Sequence, residues 1–118
     1  MLTLVDTSVW IAHFKKKDLK LTALLENAKV VTHPYILGEL YLGKPNNKNE
    51  VIQYIELLPR LDVLDISEMK IFIEEFSLNH KGLGLVDVGL LAAAFKEGVS
   101  IYSLDKKLQS LSEKLIKQ

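Results

Sequence analysis

The sequence predicts an α/β fold in which a short parallel sheet is covered on both faces by helices. Four short apolar runs, at residues 2–5, 29–32, 61–66 and 99–102, alternate with longer stretches of helical periodicity, which indicates βα units. Capping residues or proline stand at the helix starts, and glycine or proline at several of their ends. The stretch Leu85 to Lys96 is apolar nearly all round, the mark of a helix that is buried.

Leu2 to Val5 reads as a first strand ending at Asp6, and Thr7-Ser8 opens a helix through Phe14. Asp18 caps a second helix to about Asn27, with Leu21, Leu24 and Leu25 on one face, and Lys29 to Thr32 is a second strand. Pro34 suits the first turn of a helix that carries Tyr35, Ile36, Glu39, Leu40 and Leu42 and stops near Gly43-Lys44-Pro45. After a polar loop at residues 46–49, Val51, Ile52, Ile55 and Leu58 recur at helical spacing up to Pro59. Leu61 to Ile66 reads as a third strand, and Ser67 as the cap of a helix holding Ile71, Phe72 and Phe76. A flexible stretch from Asn79 to Gly84 leads into the apolar helix, which Gly98 ends. Val99 to Tyr102 is the fourth strand, and a polar, helix-prone tail runs from Asp105.

With 118 residues the chain is expected to form one domain over 1–118, and it shows no internal repeat or interdomain linker. An apolar fraction of 48% with 25% charged residues suffices for a real core and excludes disorder as the main reading. Without cysteine there is no disulfide framework, thiolate zinc site or cysteine nucleophile. The longest apolar run, Val88 to Phe95, is eight residues, against the roughly 20 that cross a bilayer. No membrane association is expected. Asp6 interrupts the first apolar run and no basic segment precedes it, so a signal peptide is not expected and a cytoplasmic location is.

The chain carries 15 basic and 15 acidic side chains, which argues against a sequence-independent nucleic-acid coat but not against a nucleic-acid enzyme. If four carboxylates are set aside as a metal site, 15 basic residues face 11 acidic ones, a mildly basic body.

Those four are Asp6, Glu39, Asp87 and Asp105. In a parallel α/β sheet, ligands bind outside the carboxyl ends of the strands. Asp6 ends the first strand, Asp105 follows the last, Glu39 sits midway along the helix after the second, and Asp87 opens the buried helix, so all four can converge on one edge. Asp6, Asp87 and Asp105 each precede or open a helix, and capping or favouring its positive end is an alternative role for each. Glu39 has no cation one turn away and is expected either to meet a charge elsewhere in the fold or to lie exposed at the edge of its apolar stripe. Asp65 also ends an apparent strand but is not assigned to the site. Crowded carboxylates repel, and the usual remedy is a shared proton or a hard divalent cation with oxygen ligands, Mg²⁺ or Mn²⁺. Such an ion supports phosphodiester hydrolysis without cysteine or histidine.

The strings LVDTSVWIAHF, HPYILGELYLG around Glu39, GLGLVDVGLLAAA around Asp87 and IYSLDKKL around Asp105 occur in the order found in PIN-domain ribonucleases. Over its whole length the chain resembles that family, and most of all the small toxins of VapBC toxin–antitoxin pairs. The resemblance implies a PIN-like three-layer α/β/α sandwich with a short, mostly parallel central sheet. It further implies a Mg²⁺- or Mn²⁺-dependent endoribonuclease with metal binding by Asp6, Glu39, Asp87 and Asp105, and Ser8 as a supporting hydroxyl. Ser103 stands where the toxins often have Thr and keeps the hydroxyl. Gly89 stands where they often carry a larger residue; a widened groove and a neutral change are both open. The resemblance also implies a homodimer, an RNA substrate and a small VapB-like antitoxin whose carboxyl-terminal segment blocks the site, often with an Arg. Asp6, Glu39 and Asp87 are expected to hold the principal metal, with Asp105 completing the site or binding a second ion.

Trp10, Phe14, Tyr35 and Tyr41 are either core residues or apolar anchors for such a partner. His13, His33 and His80 lack metal-ligand spacing and read as surface or loop residues. Lys15-Lys16-Lys17 near the proposed site and Lys106-Lys107 beside Asp105 are either RNA-steering cations or solvated turns. No P-loop and no Gly-x-Ser-x-Gly elbow is present. Three other readings stand beside the toxin: a PIN nuclease of RNA processing without an antitoxin, a catalytically silent PIN-like binding module, and a phosphatase using a strand-end Asp. The last wants Asp-x-Asp, whereas Ser8 holds the second position.

Overall fold

Residues 1–43 and 49–116 are described by the structure, a computed structural model. Strand β1 (Thr3–Val5) lies at the centre of a three-stranded sheet, flanked by β2 (Val30–Val31) and β3 (Ser100–Tyr102), all parallel. Its three residues are buried, as a central strand covered on both faces requires. The helices are α1 (Thr7–Lys15), α2 (Leu19–Glu26), α3 (Pro34–Gly43), α4 (Asn49–Glu56), α5 (Ile66–Glu75), α6 (Leu85–Glu97) and α7 (Lys106–Leu115). The crossover from β1 to β2 through α1 and α2 and that from β2 to β3 through α3 to α6 run in opposite directions across the sheet. Right-handed connections therefore put the two sets of helices on opposite faces. The expected α/β/α layering follows.

Among the described residues the sheet has three strands and not four. Residues 61–66, expected as a strand, form none; the bridge beside them joins Thr32, just past β2, to Arg60, with the Thr32 amide donating to the Pro59 carbonyl and the Leu61 amide to the Thr32 carbonyl. Leu61 and Leu64 are buried while Asp62, Val63 and Asp65 are exposed, a spacing of three that no pleated strand can present to one face. Ile66 is already helical. The cap of α5 is Asp65 and not Ser67: its carboxylate accepts the Glu68 amide and Glu68 reaches back to the Asp65 amide, a reciprocal capping box.

Helix α6 is buried from Val88 to Ala94, where small side chains allow close approach, and ends at Gly98 in the left-handed region at φ 66°. Asp18 caps α2 as expected, accepting the Leu21 amide. Trp10 lies in the core and Phe14 and Tyr35 pack against it, whereas Tyr41 is exposed and donates to Glu56. His33 corrects the surface reading of the histidines: it is fully buried, its Nδ1 accepting the Tyr35 amide at 2.9 Å at the start of α3. In the polar loop expected at 46–49, Asn49 begins α4 and the rest lies outside the described residues, as do Lys44 and Pro45. Among the described residues no helix is long and apolar enough to cross a membrane.

Candidate metal centre and active site

The carboxyl ends of β1 and β3 lie side by side, and the Asp6 amide donates to the Tyr102 carbonyl where the pairing ends. The next residues of each chain segment, Asp6 and Ser103 to Asp105, therefore leave the sheet at one edge. Asp6 is the N-cap of α1, as the capping alternative holds, and also the centre of a wider network. Its Oδ1 accepts the Thr7 amide at 2.8 Å, and its Oδ2 accepts both the Ser8 hydroxyl at 3.0 Å and the Ser103 hydroxyl at 2.7 Å. Each serine spends its one proton on Asp6 and takes a backbone amide in return, Ser8 from Leu104 at 3.0 Å and Ser103 from Asp105 at 3.0 Å. A cap needs one acceptor oxygen. Two buried or half-buried hydroxyls converging on the second one orient the carboxylate beyond what capping asks for.

Asp105 is exposed and caps α7, accepting the amides of Lys107 and Leu108. Glu39 is exposed too, so of the two outcomes open for it the edge position is the one found. Its Oε1 accepts the Thr7 hydroxyl at 2.7 Å. Thr7 thus joins two of the acids, its amide on Asp6 and its hydroxyl on Glu39, a role the sequence signals only as a hydroxyl beside Asp6. Asp87, in the first turn of α6, is half-buried. Its carboxyl is raised above the usual Asp value of 3.8 first by burial, then by the charges of Asp105, Asp6 and Glu39, while the Gly84 backbone pulls the other way. Three acids acting on the fourth is the electrostatic signature of their common location.

The charges of Asp105, Asp6 and Glu39 reach Asp87, but among the described residues no three acidic or imidazole groups stand close enough together to hold an ion as they are. Like charges repel, and Asp6, Glu39 and Asp105 lean instead on the local donors just named. Among the described residues none of the four is in an ion pair; the pairs found are Lys70 with Glu74 and Lys96 with Glu68. Four oxygen donors of like charge, no paired cation and a proton affinity raised on the half-buried member fit a hard divalent cation of the Mg²⁺ or Mn²⁺ type.

Around the acids, Lys106 and Lys107 open α7 directly after Asp105. Lys15 to Lys17 are less close than expected, because they lie at the far end of α1, about 13 Å along a helix of nine residues. Gly89 does not widen a groove. A Cβ there would stand 2.6 Å from Cε2 of Tyr35, so the ring of Tyr35 already occupies the space a side chain would fill.

The PIN domain family profile matches residues 3–114, and the chain belongs to that family. It is similar to Ribonuclease VapC32 of Mycobacterium tuberculosis, in strain CDC 1551 / Oshkosh and in strain ATCC 25618 / H37Rv. In both cases 33% of 108 residues are identical, covering 91% of this chain and 87% of the relative.

Proposed function

We propose that the protein is a Mg²⁺- or Mn²⁺-dependent endoribonuclease that hydrolyses RNA phosphodiester bonds. The observation that supports this reading most is that the proton affinity of half-buried Asp87 is raised first by burial and then by the charges of Asp105, Asp6 and Glu39. Membership of the PIN family and 33% identity to a protein named a ribonuclease support it. Asp6, Glu39 and Asp87 would hold the principal ion, with Asp105 completing the site or taking a second one. Such an ion supplies positive charge to the phosphodiester oxygens and lowers the pKa of water for attack. The chain's own part is orientation: Ser8 and Ser103 fix one oxygen of Asp6, and Thr7 ties Asp6 to Glu39. Lys106 and Lys107 place cations next to the acids, where an RNA backbone can be held.

The wider reading is the toxin of a type II toxin–antitoxin pair, cytoplasmic and homodimeric, restrained by a small VapB-like antitoxin. Its support is the similarity to VapC32 over nearly the whole of both chains. Incubating the purified chain with a structured RNA pool tests the enzyme: cleavage is expected with Mg²⁺ or Mn²⁺ and is expected to vanish with EDTA and in Asp6→Asn. Metal-independent cleavage, or none in a chain that also binds no Mn²⁺, contradicts it. Co-purification with the product of an adjacent small reading frame, with cleavage suppressed, tests the toxin role.

A further inference from the structure

Strand β3 is an edge strand, paired on its inner side with β1 through Ser100, whose amide donates to Leu2, and Tyr102, whose carbonyl accepts from Asp6. In a parallel ladder alternate residues bond to opposite sides, so Ile101 and Ser103 turn their backbone groups outward. Among the described residues no strand lies there. The side chain of Gln109, one turn into α7, takes the place: the Ser103 amide donates to its Oε1 at 2.7 Å, and its Nε2 donates to the Ile101 carbonyl at 3.1 Å. An amide proton requires the oxygen and a carbonyl requires the nitrogen, so the orientation of the Gln109 amide is fixed by its partners. Accepting from one residue and donating to the residue two before it is the bonding of a parallel neighbour opposite Tyr102.

This one-residue substitute for a strand acts at the last two positions before the site. Ser103, whose amide Gln109 holds, donates its hydroxyl to Asp6 Oδ2 at 2.7 Å and accepts the Asp105 amide at 3.0 Å. Gln109 is itself anchored by its own amide on the Asp105 carbonyl at 2.9 Å. One side chain therefore couples the end of β3 to the turn that carries Asp105 and, through Ser103, to Asp6. We propose that Gln109 is a positioning residue for the metal-dependent reaction, setting the Ser103 hydroxyl that orients Asp6 and the turn that presents Asp105. The inference rests on the nuclease reading above.

The test compares Gln109→Met, equal in length but without the bonds, with Gln109→Glu, which keeps the acceptor for Ser103 and loses the donor to Ile101. Mn²⁺ affinity by calorimetry, kcat and KM for RNA, and hydrogen exchange at the Ser103 amide are measured. Gln109→Met is expected to weaken Mn²⁺ binding about tenfold, the scale of outer-shell partners of metal ligands. Its kcat falls with KM for RNA unchanged, and the Ser103 amide exchanges faster. Gln109→Glu is expected to recover most of the loss. Should Gln109→Met not fold, Gln109→Asn, too short to span Ile101 and Ser103, takes its place with the same expectation. A lowered Tm with Mn²⁺ affinity and kcat within twofold of wild type overturns the proposal and leaves Gln109 as a seal on the sheet edge. Equal loss in Gln109→Glu overturns it as well. Absence of Mn²⁺ binding in the wild-type chain removes the nuclease reading, and this proposal with it.

Discussion

The Ser103 hydroxyl donates to Asp6 Oδ2 at 2.7 Å across 97 residues of sequence, and the Ser8 hydroxyl donates to the same oxygen at 3.0 Å. Two hydroxyls on one carboxylate oxygen hold Asp6 in a single orientation at the edge where β1 and β3 end. Ser103→Ala deletes one of these bonds and takes from the Asp105 amide the acceptor that the buried Ser103 hydroxyl supplies. A stability loss of about 1–2 kcal/mol is expected, along with a loss of about tenfold in Mn²⁺ affinity. Thermal denaturation and calorimetry on one variant read both. Weakened stability with unchanged metal affinity would show that Ser103 only braces the turn.

Asp87 separates stability from function. Its carboxyl is raised by burial and then by Asp105, Asp6 and Glu39, so the folded chain holds that proton more tightly than the unfolded chain. The sign follows: stability is lost as pH rises from the unfolded value of 3.8 through the higher folded one, and at neutral pH the charge opposes folding. Asp87→Asn is expected to leave the metal-free chain as stable as wild type or slightly more so, the gain held small by partial exposure to solvent. It is also expected to abolish metal-dependent cleavage. Urea midpoints without metal decide, and a clear destabilisation would assign Asp87 a structural role at the α6 terminus.

Gly89 and Tyr35 form a size-matched pair. Adding a Cβ at Gly89 places it 2.6 Å from the Tyr35 ring, an overpacking that costs about 1–3 kcal/mol. The helix propensity gained by alanine, about 1 kcal/mol, offsets only part of this. Gly89→Ala is therefore expected to destabilise the wild type and to stabilise a Tyr35→Ala background, where the ring is gone. A double-mutant cycle measured by chemical denaturation reads the change of sign, and equal effects in the two backgrounds would contradict the pairing.

His33 ties acid sensitivity to helix α3. Burial holds its pKa down to about 4 from the ordinary 6.5, and its Nδ1 must stay unprotonated to accept the Tyr35 amide. The folded chain refuses a proton that the unfolded chain accepts. Stability from this group is complete above 6.5 and is lost as pH falls to about 4, on the order of 3 kcal/mol in all. His33→Asn, which preserves an N-cap acceptor without titrating, is expected to flatten the dependence of the urea midpoint between pH 6.5 and 4. Asp87, raised above its ordinary value, acts on stability with the opposite sign. An unchanged slope in His33→Asn would place the acid sensitivity elsewhere.

Much of this architecture is legible in the sequence because local chemistry and tertiary role coincide. Asp18 caps where a polar residue precedes an apolar stripe, and the apolar helix at Leu85 to Lys96 is buried along its middle, Val88 to Ala94, while Leu85 and Phe95 at its ends stay exposed. The stretch at 61–66 misleads because apolar content alone resembles a strand, while its burial at every third residue is fixed by the neighbours that Leu61 and Leu64 meet. His33 misleads in the same way: nothing beside it in sequence announces that the end of β2 buries it. For the site, Asp6, Asp87 and Asp105 are visible as acids at strand ends and helix starts, Glu39 only as an acid midway along a helix, and family motifs single out all four. Thr7 and Gln109 are not, since their partners, Glu39 for one and Ile101 and Ser103 for the other, become neighbours only when the chain folds.

The central claim is that Asp6, Glu39, Asp87 and Asp105 act together as a divalent-cation site. Calorimetric titration of the metal-free chain with Mn²⁺, in wild type and in Asp6→Asn, tests it most directly. The expected result is saturable binding in wild type that is lost in Asp6→Asn while the Tm of that variant stays within a few degrees of wild type, because asparagine caps a helix about as well as aspartate. Absence of binding in the folded wild-type chain, or equal binding in the two proteins, would contradict the account and leave Asp6 and Asp105 as the helix caps they also form.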